Sequence, residues 1–344
     1  MHRCLDLAQK ASGKTAPNPM VGAVLVYNGT IIGEGYHKGY GQPHAEVNCL
    51  NSVSINNALF IKESVLYVSL EPCCHFGKTP PCTDVIISKN ISHVIVGCRD
   101  SYEKVNGTGI EKLKEAGIKV ETGILEKECR SVNRRFFCFQ EKKRPYIILK
   151  WAQTADGFID ISGRNRTKIS NEFTDRLVHK WRAEEAAIFV GTNTLIKDDP
   201  ALTVRLWAGK NPVRIAIDNQ GKVPESSKIF DKEALTIIMN KLKNEKNENL
   251  IFYARNENES FADAFVRCLN EFKLQSVLIE GGAKMLNTFL DLGLWDEVRV
   301  ITNTEMIGGV GTKAPLLKNV ISIREEMILG DRIAIYKNNK NEFV

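Results

Sequence analysis

The sequence predicts an α/β protein of two successive domains. Segments with the two-residue period of strands alternate with segments of helical period along both halves of the 344-residue chain. The charged run 141–144 is followed at once by Pro145, a combination that ends a helix and is typical of a domain boundary. We therefore predict a first domain over residues 1–143 and a second domain over residues 144–344.

In the first domain, Asn28-Gly29 between two apolar runs predicts a β-hairpin. The predicted strands are 21–27, 31–35, 64–70, 92–97 and 119–122. The predicted helices are 4–11, a segment that carries His44, 82–90, 110–116 and 126–140. Strands that alternate with helices in this way indicate a three-layer α/β domain.

The second domain restarts with a strand and repeats the alternation. The predicted strands are 146–151, 187–190, 213–217, 235–239, 276–279, 297–302 and 332–336. A helix is predicted over 171–183, and loops are predicted over 156–170, 241–246 and 308–313. Strand 276–279 leads into Gly281-Gly282 and a helix, a geometry that suits a bound phosphate and equally suits a plain tight turn.

The composition indicates a globular protein that does not span a membrane. No apolar run approaches the ~20 residues that a bilayer requires, and the first six residues lack the apolar core of a signal peptide. Because an export signal is not evident there, the nine cysteines predict a reducing, cytoplasmic location. The net charge of +6 is mild and dispersed, so we expect a small phosphorylated substrate as partner, with no nucleic acid and no membrane.

One imidazole and two thiolates form the donor set of a catalytic zinc site with an open fourth position, and His44, Cys73 and Cys82 supply them. Glu46 lies two residues after the histidine, where it can stand beside the metal without binding it. Zinc-dependent base deaminases use a glutamate there to carry protons between water and the substrate nitrogen. The sequence therefore predicts Glu46 as the catalytic acid and base of a zinc deaminase.

The cysteine spacing leaves a choice of ligands. The common signature has two residues between its cysteines, whereas eight residues separate Cys73 from Cys82. Cys74 is a third sulfur in the same loop. We prefer the other two because Pro72 precedes Cys73 as in the signature and Cys82 begins a predicted helix, and we expect Cys74 to be a buried small residue. The competing interpretation, cysteines without a metal, leaves the ordered His, Glu and Cys pattern to chance.

In the second domain, charged side chains near strand ends indicate where an anion could bind. Glu280 ends a predicted strand, and Arg182 with Arg205 could form a fork for a phosphate. Arginines that are only solvated are the competing interpretation. The residues alone predict a second α/β domain that could bind a phosphate or a nucleotide.

Several segments resemble the bifunctional riboflavin-biosynthesis deaminase/reductase family. In the first half these are the segments 15–22, 33–37, 43–46 and 71–82, and the last of them includes the long cysteine spacing. In the second half they are 150–157, 197–205 and 279–282. The resemblance covers nearly the whole chain in the domain order of the family.

The resemblance implies a fold and two reactions. An N-terminal cytidine-deaminase-like three-layer α/β/α domain would be followed by a dihydrofolate-reductase-like α/β domain. The first would use Zn2+ to remove the 2-amino group of 2,5-diamino-6-(5-phosphoribosylamino)pyrimidin-4(3H)-one as ammonia. The second would use NADPH to reduce the ribosyl group, which gives 5-amino-6-(5-phosphoribitylamino)uracil. We also expect a homo-oligomer, either a dimer or a tetramer.

The resemblance also implies residue roles. The residues of the deaminase pocket would be Asn18, His37, His75 and Lys78. The residues that meet NADPH would be Gln153, Lys168, Thr194, Asp198, Asn219 and Gly282. The residues that face the reductase substrate would be Arg182, Leu202, Arg205 and Glu280, with Lys150 as the catalytic residue at the ribose end.

Two departures from the family pattern accompany these roles. Cys74 stands where the family has Ser, and Lys168 stands where it has a Trp against the cofactor, after the basic insert 164–166. We interpret Lys168 as a cation that favours the extra phosphate of NADPH. One alternative is a polynucleotide deaminase, which needs the short cysteine spacing and a basic stripe that the sequence lacks. The other keeps the deaminase and makes the second domain a binding or dimerisation module without catalysis.

Overall fold

The structure, a computed structural model, describes residues 1–103, 105–163 and 168–340, so the basic insert 164–166 lies outside the described residues. The chain divides into two compact units, one over Met1–Lys143 and one that begins at Arg144. Among the residues that the structure describes, no helix is both long and apolar enough to cross a bilayer.

The first unit is a five-stranded sheet with helices on both faces. Its strands are β1 (Gly22–Tyr27), β2 (Thr30–Tyr36), β3 (Val65–Leu70), β4 (His93–Cys98) and β5 (Lys119–Thr122). Its α-helices are α1 (His2–Gln9), α2 (Ala45–Asn51), α3 (Cys82–Ser88), α4 (Thr108–Glu115), α5 (Glu126–Val132) and α6 (Arg134–Lys142), with a 3-10 helix at Ile55–Glu63. The strand order is β2-β1-β3-β4-β5, with β1 antiparallel to both neighbours and β3, β4 and β5 parallel.

Alternating side chains of β1 explain the three layers. Leu25 packs into a buried cluster that includes Leu50 of α2. Val24, which points to the opposite face, packs with Leu7 of α1. Because both faces of the strand are apolar, a helix layer covers each face.

Residues 126–140, predicted as one helix, form two helices that meet at Asn133. The buried Asn133 side chain accepts a hydrogen bond from the Met20 amide at 2.7 Å and donates one to the Met20 carbonyl at 2.8 Å. This paired contact anchors the loop that precedes β1. The helical period gave no sign of the break, because its cause is a partner 113 residues away in the chain.

The second unit contains a ten-stranded sheet and a separate two-stranded ribbon. Its strands are β6 (Tyr146–Gln153), β7 (Phe158–Ile161), β8 (Ala187–Val190), β9 (Val213–Ile217), β10 (Thr236–Asn240), β11 (Glu245–Lys246), β12 (Leu250–Ala254), β13 (Ser276–Ile279), β14 (Glu297–Asn303), β15 (Gly311–Lys313), β16 (Val320–Ile328) and β17 (Asp331–Asn338). Its α-helices are α7 (Glu172–Glu184), α8 (Thr192–Asp198), α9 (Phe261–Glu271) and α10 (Ala283–Asp291), with a 3-10 helix at Lys228–Phe230. The sheet order is β11-β12-β10-β9-β8-β13-β6-β14-β17-β16, and β15 pairs with β7 in the ribbon.

The ribbon corrects part of the loop prediction in this unit. Residues 158–161 and 311–313, both predicted within loops, pair as antiparallel strands. The Asp156 carboxylate accepts hydrogen bonds from the amides of Gly308 and Gly309 at 2.8 and 2.9 Å. Residues 245–246 were also predicted as loop and form the short edge strand β11.

The seven central strands, from β12 to β14, are mutually parallel, and their carboxyl ends position the second site. Gly191 directly follows β8, and Glu280 directly follows β13. Ligands of parallel sheets bind where such strand ends meet.

Candidate active sites

The predicted metal ligands of the first unit form one cluster. The Nδ1 atom of His44 lies 3.5 Å from the Cys73 Sγ and 3.3 Å from the Cys82 Sγ. All three donor atoms lie within 4.8 Å of one another. Donors bound at about 2.0–2.3 Å to a tetrahedral zinc ion lie roughly 3.5 Å apart. The spacing of these donors therefore fits a zinc ion.

Local structure brings the donors together. His44 is the N-cap residue of α2, and Cys82 is the first residue of α3. The Cys82 amide donates to the Cys73 Sγ at 3.4 Å. Hydrogen bonds from Cys82 and His44 lower the pKa of the Cys73 thiol, so this sulfur favours the thiolate form that binds metals.

Cys74 points to a different partner. Its Sγ lies 2.9 Å from the Thr108 Oγ1 at the start of α4, and it does not belong to the donor cluster. Cys74 is half-buried, so the expectation of a buried residue is wrong. The half-buried position follows from the exposed loop 76–78 that comes next in the chain.

Glu46 lies in the first turn of α2 with 3% of its surface exposed. Burial, together with the nearby Cys73, raises the pKa of the Glu46 carboxyl to about 7. A carboxyl group with a pKa near neutrality can both accept and release a proton under ordinary conditions.

The sequence gave no role to Glu71, which fixes the loop behind the cysteines. Its carboxylate accepts hydrogen bonds from four backbone amides, at distances of 2.9 to 3.2 Å. The donors are Asp100, Gly107, Gly109 and Ile110. This buried carboxylate holds the segment before Cys73 against the start of α4. The position of Glu71 directly before Pro72 and Cys73 is the signal in the sequence that could have indicated this structural role.

Two of the predicted pocket residues of the deaminase contact each other. The Asn18 Nδ2 and the His37 Nε2 lie 3.3 Å apart, and the His37 ring meets the His44 ring edge-on with centroids 5.1 Å apart. His75 is half-buried, and its Nδ1 has no hydrogen-bond partner among the described residues. Lys78 is exposed, and its Nζ lies 4.2 Å from the ring centroid of Tyr40.

The second unit contains a cleft of about 1290 Å³ at the carboxyl ends of the parallel strands. Ten of the eleven reductase residues implied by the resemblance line it: Lys150, Lys168, Arg182, Thr194, Asp198, Leu202, Arg205, Asn219, Glu280 and Gly282. Gln153 lines a different cleft of about 860 Å³ instead. Its Oε1 accepts from the Trp151 Nε1 at 2.8 Å, because the two side chains lie on the same face of β6.

A buried ion pair, Arg182 with Glu280, lines the 1290 Å³ cleft. The Arg182 Nε and Nη2 donate to the two Glu280 oxygens at 2.7 and 2.8 Å, and each side chain is 12% exposed. Burial alone would raise the pKa of Glu280, but the charges of Arg182 and Lys150 outweigh burial and lower it to about 2. Glu280 is therefore a carboxylate.

Lys150 lies beside this pair and is half-buried. Burial lowers the pKa of its amine, while the charge of Glu280 opposes that shift. The Lys150 amine has no hydrogen-bond partner among the described residues. The Lys150 amine lines the cleft and is therefore a group to which a bound ligand can hydrogen-bond.

The segment 202–205 is held against α7. The Arg182 Nη1 donates to the Thr203 carbonyl at 3.3 Å, and the Arg205 amide donates to the His179 Nδ1 at 3.0 Å. Leu202 is buried with a φ of 57°, a left-handed conformation that a leucine rarely adopts. Such strain is found at sites where the chain must present groups in one arrangement.

Two of the expected cofactor residues, Thr194 and Gly282, lie near the start of two helices. Gly282 is the N-cap residue of α10, and a Cβ on it would lie 3.8 Å from the Thr194 Oγ1 of α8. A Cβ on Gly281 would meet the Met285 Cβ at 2.8 Å, so this turn needs glycine to pack closely. Lys168 is 67% exposed and pairs with Asp175 at 3.1 Å.

Several lining residues were missed. They are Asp160, Asp175, His179, Lys197, Lys222 and Lys284. Asp175, His179 and Arg182 follow one another at four and three residues along α7, so helical spacing from the predicted arginine could have found the other two. The remaining four come from separate loops and element ends that only the fold brings together.

Comparison with known families matches both units. The model of the cytidine and deoxycytidylate deaminase zinc-binding region matches residues 1–98, and that of the RibD C-terminal domain matches residues 145–321. The predicted fold class, a cytidine-deaminase-like domain before the reductase domain of this family, is confirmed. The first unit thus contains a zinc-binding deaminase region.

Full-length relatives agree with these matches. The Riboflavin biosynthesis protein RibD of Aquifex aeolicus is 39% identical, covering 98% of this chain and 96% of its own length. The protein of that name in Escherichia coli is 33% identical, with coverage of 90% and 88%. A Thermotoga maritima structure of a diaminohydroxyphosphoribosylaminopyrimidine deaminase/5-amino-6-(5-phosphoribosylamino)uracil reductase has a TM-score of 0.88 at 34% identity, covering 98% and 97% of the chains.

Proposed function

The chain belongs to the RibD family of bifunctional deaminase/reductases of riboflavin biosynthesis, and from that premise we propose which reaction each unit performs. Residues 1–143 deaminate 2,5-diamino-6-(5-phosphoribosylamino)pyrimidin-4(3H)-one. Residues 144–344 then reduce the ribosyl side chain with NADPH. The product is 5-amino-6-(5-phosphoribitylamino)uracil.

The observation that supports the first assignment is the donor cluster with a buried carboxyl group beside it. The residues that would hold zinc are His44, Cys73 and Cys82, whose spacing fits the ion. A zinc ion acidifies water and polarises the substrate. Glu46 would take a proton from the attacking water and deliver it to the departing amino nitrogen, which leaves as ammonia.

The pocket residues have proposed roles in binding. His37 and Asn18 form a linked pair beside His44, where they would orient the pyrimidine ring. The unpartnered His75 Nδ1 would bond a polar atom of the ring. Lys78 would attract the phosphate from the exposed loop.

In the second unit, NADPH would supply the hydride. The residues proposed to hold NADPH in the 1290 Å³ cleft are Lys168, Thr194, Asp198, Asn219 and Gly282. Gln153, the sixth residue implied by the resemblance, lines the other cleft. Arg182, Leu202, Arg205 and Glu280 would bind the substrate. The Lys150 amine, which lines the cleft, would donate a hydrogen bond, and then a proton, to the ribose end.

Three further properties stay predictions. The mild charge favours a small phosphorylated pyrimidine as the partner, and no basic stripe of the kind a polynucleotide deaminase needs is seen in the sequence. The cysteine content favours a cytoplasmic location. A dimer or tetramer is expected by resemblance.

NADPH oxidation by the full chain, supplied with the diaminopyrimidine ribosyl phosphate, tests the proposal. We expect wild type to consume NADPH and Glu46→Ala to do so only when already deaminated substrate is added. That result would support both sites and their order. Ammonia release without NADPH oxidation by wild type would instead favour a second unit that binds or dimerises without catalysis.

A further inference from the structure

The side chain of His179 has no assigned role in the cleft. It lies on α7 one turn before Arg182, it lines the cleft, and it is 6% exposed. Polar side chains that are buried this deeply normally have all their hydrogen bonds made. His179 has one bond, to the backbone of Arg205.

That bond fixes the tautomer of the ring. A backbone amide can only donate, so the Nδ1 of His179 is the acceptor and carries no proton. Burial, with the charges of Arg182 and Arg205, lowers the pKa of His179 to about 4 and keeps the ring neutral. The remaining proton is therefore on Nε2, a donor with no hydrogen-bond partner among the described residues.

In the described part of the chain, a carboxylate of the protein itself engages one arginine of the predicted phosphate fork, Arg182, but not the other, Arg205. Arg182 already directs Nε and Nη2 to Glu280 and Nη1 to Thr203. Arg205 has one side-chain bond, from Nη1 to the Thr203 Oγ1 at 2.8 Å, and no carboxylate partner within the described residues. The negative charges nearest to His179 are otherwise engaged, since Glu280 pairs with Arg182 and Asp175 with Lys168.

We propose that the His179 Nε2–H and the Arg205 guanidinium together bind the phosphate of the reductase substrate. The Arg205 guanidinium supplies positive charge, and the His179 imidazole supplies a hydrogen-bond donor. The backbone amide of Arg205 fixes the orientation of that imidazole ring. Arg182 serves Glu280 and the segment 202–205 instead. The proposal rests on the phosphorylated substrate proposed above.

Two substitutions separate binding from a structural role. The His179→Asn side chain can place an oxygen where Nδ1 was, which preserves the bond from Arg205, but it has nothing at the Nε2 position. The His179→Gln side chain can place an amide N–H where Nε2 was. A bond to a phosphate predicts that Gln retains the KM of wild type within about threefold, whereas Asn raises it about tenfold or more at nearly unchanged kcat.

The closing experiment reads His179 directly in the full chain. Histidine is labelled with 15N, and the His179 signal is identified by its loss in His179→Gln. We expect a protonated Nε2 and a signal that moves with ribose 5-phosphate but not with ribose. An unmoved signal, or wild-type KM in His179→Asn with loss in His179→Gln, overturns the proposal. A moving signal in a wild type that never oxidises NADPH would sink the proposed reduction and leave this binding site intact.

Discussion

The two sites are built in opposite ways. The donors of the deaminase centre all lie within residues 44–82, on a helix start, a loop and another helix start. The residues that line the reductase cleft extend from Lys150 to Thr312 in the sequence, and they meet where parallel strands end at one edge of the sheet. A site that is continuous in sequence can be identified from spacing, whereas a site assembled by topology can be identified only from the fold or a family resemblance.

The sites differ in charge balance as well. His44, Cys73 and Cys82 crowd three donors together, an arrangement completed by a cation. The cleft instead contains two ion pairs of its own, Arg182 with Glu280 and Lys168 with Asp175, beside the Arg205 cation. Removing a group from the first site should therefore abolish binding of an ion, while removing one from the second should leave an opposite charge unpaired.

The largest expected effect is on the deamination rate, through the metal site of the first unit. Cys82→Ser should lose bound zinc and lower the deamination rate by roughly 1000-fold or more, since a metal is worth several kcal/mol to the transition state. Reduction of already deaminated substrate should continue. Zinc content by mass spectrometry and ammonia release measure the two effects.

Cys74→Ser is the matched control for that experiment. It changes a sulfur in the same loop that contacts Thr108 rather than the donor cluster. We expect full zinc content in this variant. Zinc loss in Cys74→Ser equal to that in Cys82→Ser would mean that Cys74 is also needed to hold the metal, which contradicts the proposed donor set.

The second effect tests the balanced charges. Glu280→Gln leaves Arg182 without its partner in a buried setting and should cost about 3–5 kcal/mol of stability in the second unit. Without that carboxylate, the pKa of Lys150 should fall further, because Glu280 raises it. Reduction should be lost while ammonia release continues. Denaturant unfolding and both activity assays provide the measurements.

The chain offers a control pair of the same geometry. Arg267 binds both oxygens of Glu259 at 2.7 and 2.8 Å, and the two pairs differ at the arginine, because the Arg267 side chain is 37% exposed while Glu259, at 13%, is about as buried as Glu280. Glu259→Gln should cost no more than about 1 kcal/mol, since water screens such pairs. Equal costs in the two variants would refute burial as the reason for the difference.

Sequence periodicity found most elements but failed where a distant partner decides the structure. The break at Asn133 depends on Met20, and the strand 158–161 depends on its pairing with 311–313. The edge strand β16 was also missed, because charged residues such as Arg324 and Glu326 lie on it and much of it is exposed. Period and propensity contain no information on these contacts.

The candidate sites show the same limit. Spacing alone predicted the cluster of His44, Cys73 and Cys82, which the fold brings together. In the second unit, Gln153 lines the 860 Å³ cleft although Trp151, on the same face of β6, lines the 1290 Å³ cleft, and His179 was not considered. The cleft that a strand residue meets depends on the elements packed around the strand, and the sequence alone does not place those elements.

A smaller effect should appear in the pH dependence of stability. The pKa of His179 is lowered from 6.5 to about 4, so the unfolded chain binds a proton first as pH falls. Keeping the ring neutral in the folded state therefore contributes to the free energy of unfolding. This contribution is fully present above pH 6.5, decreases between pH 6.5 and 4 and is lost below pH 4, and the total loss is roughly 3 kcal/mol at most. His179→Gln should flatten this part of the curve for the second unit. Thermal melts of both proteins from pH 4 to 8 measure it, and parallel curves would contradict the shift.

The smallest effect concerns Lys168, an exposed residue whose Nζ lies 3.1 Å from Asp175. If its charge favours the extra phosphate of NADPH, Lys168→Glu should raise the NADPH KM about three- to tenfold, and added salt should shrink the difference because exposed charges are screened. The KM for NADH should change little, which separates recognition of the phosphate from damage to the cleft. Lys168→Met, which keeps most of the length without charge, should fall between the two. An unchanged NADPH KM in Lys168→Glu would refute the role, and Lys222 and Lys284 would be the next lining cations to substitute.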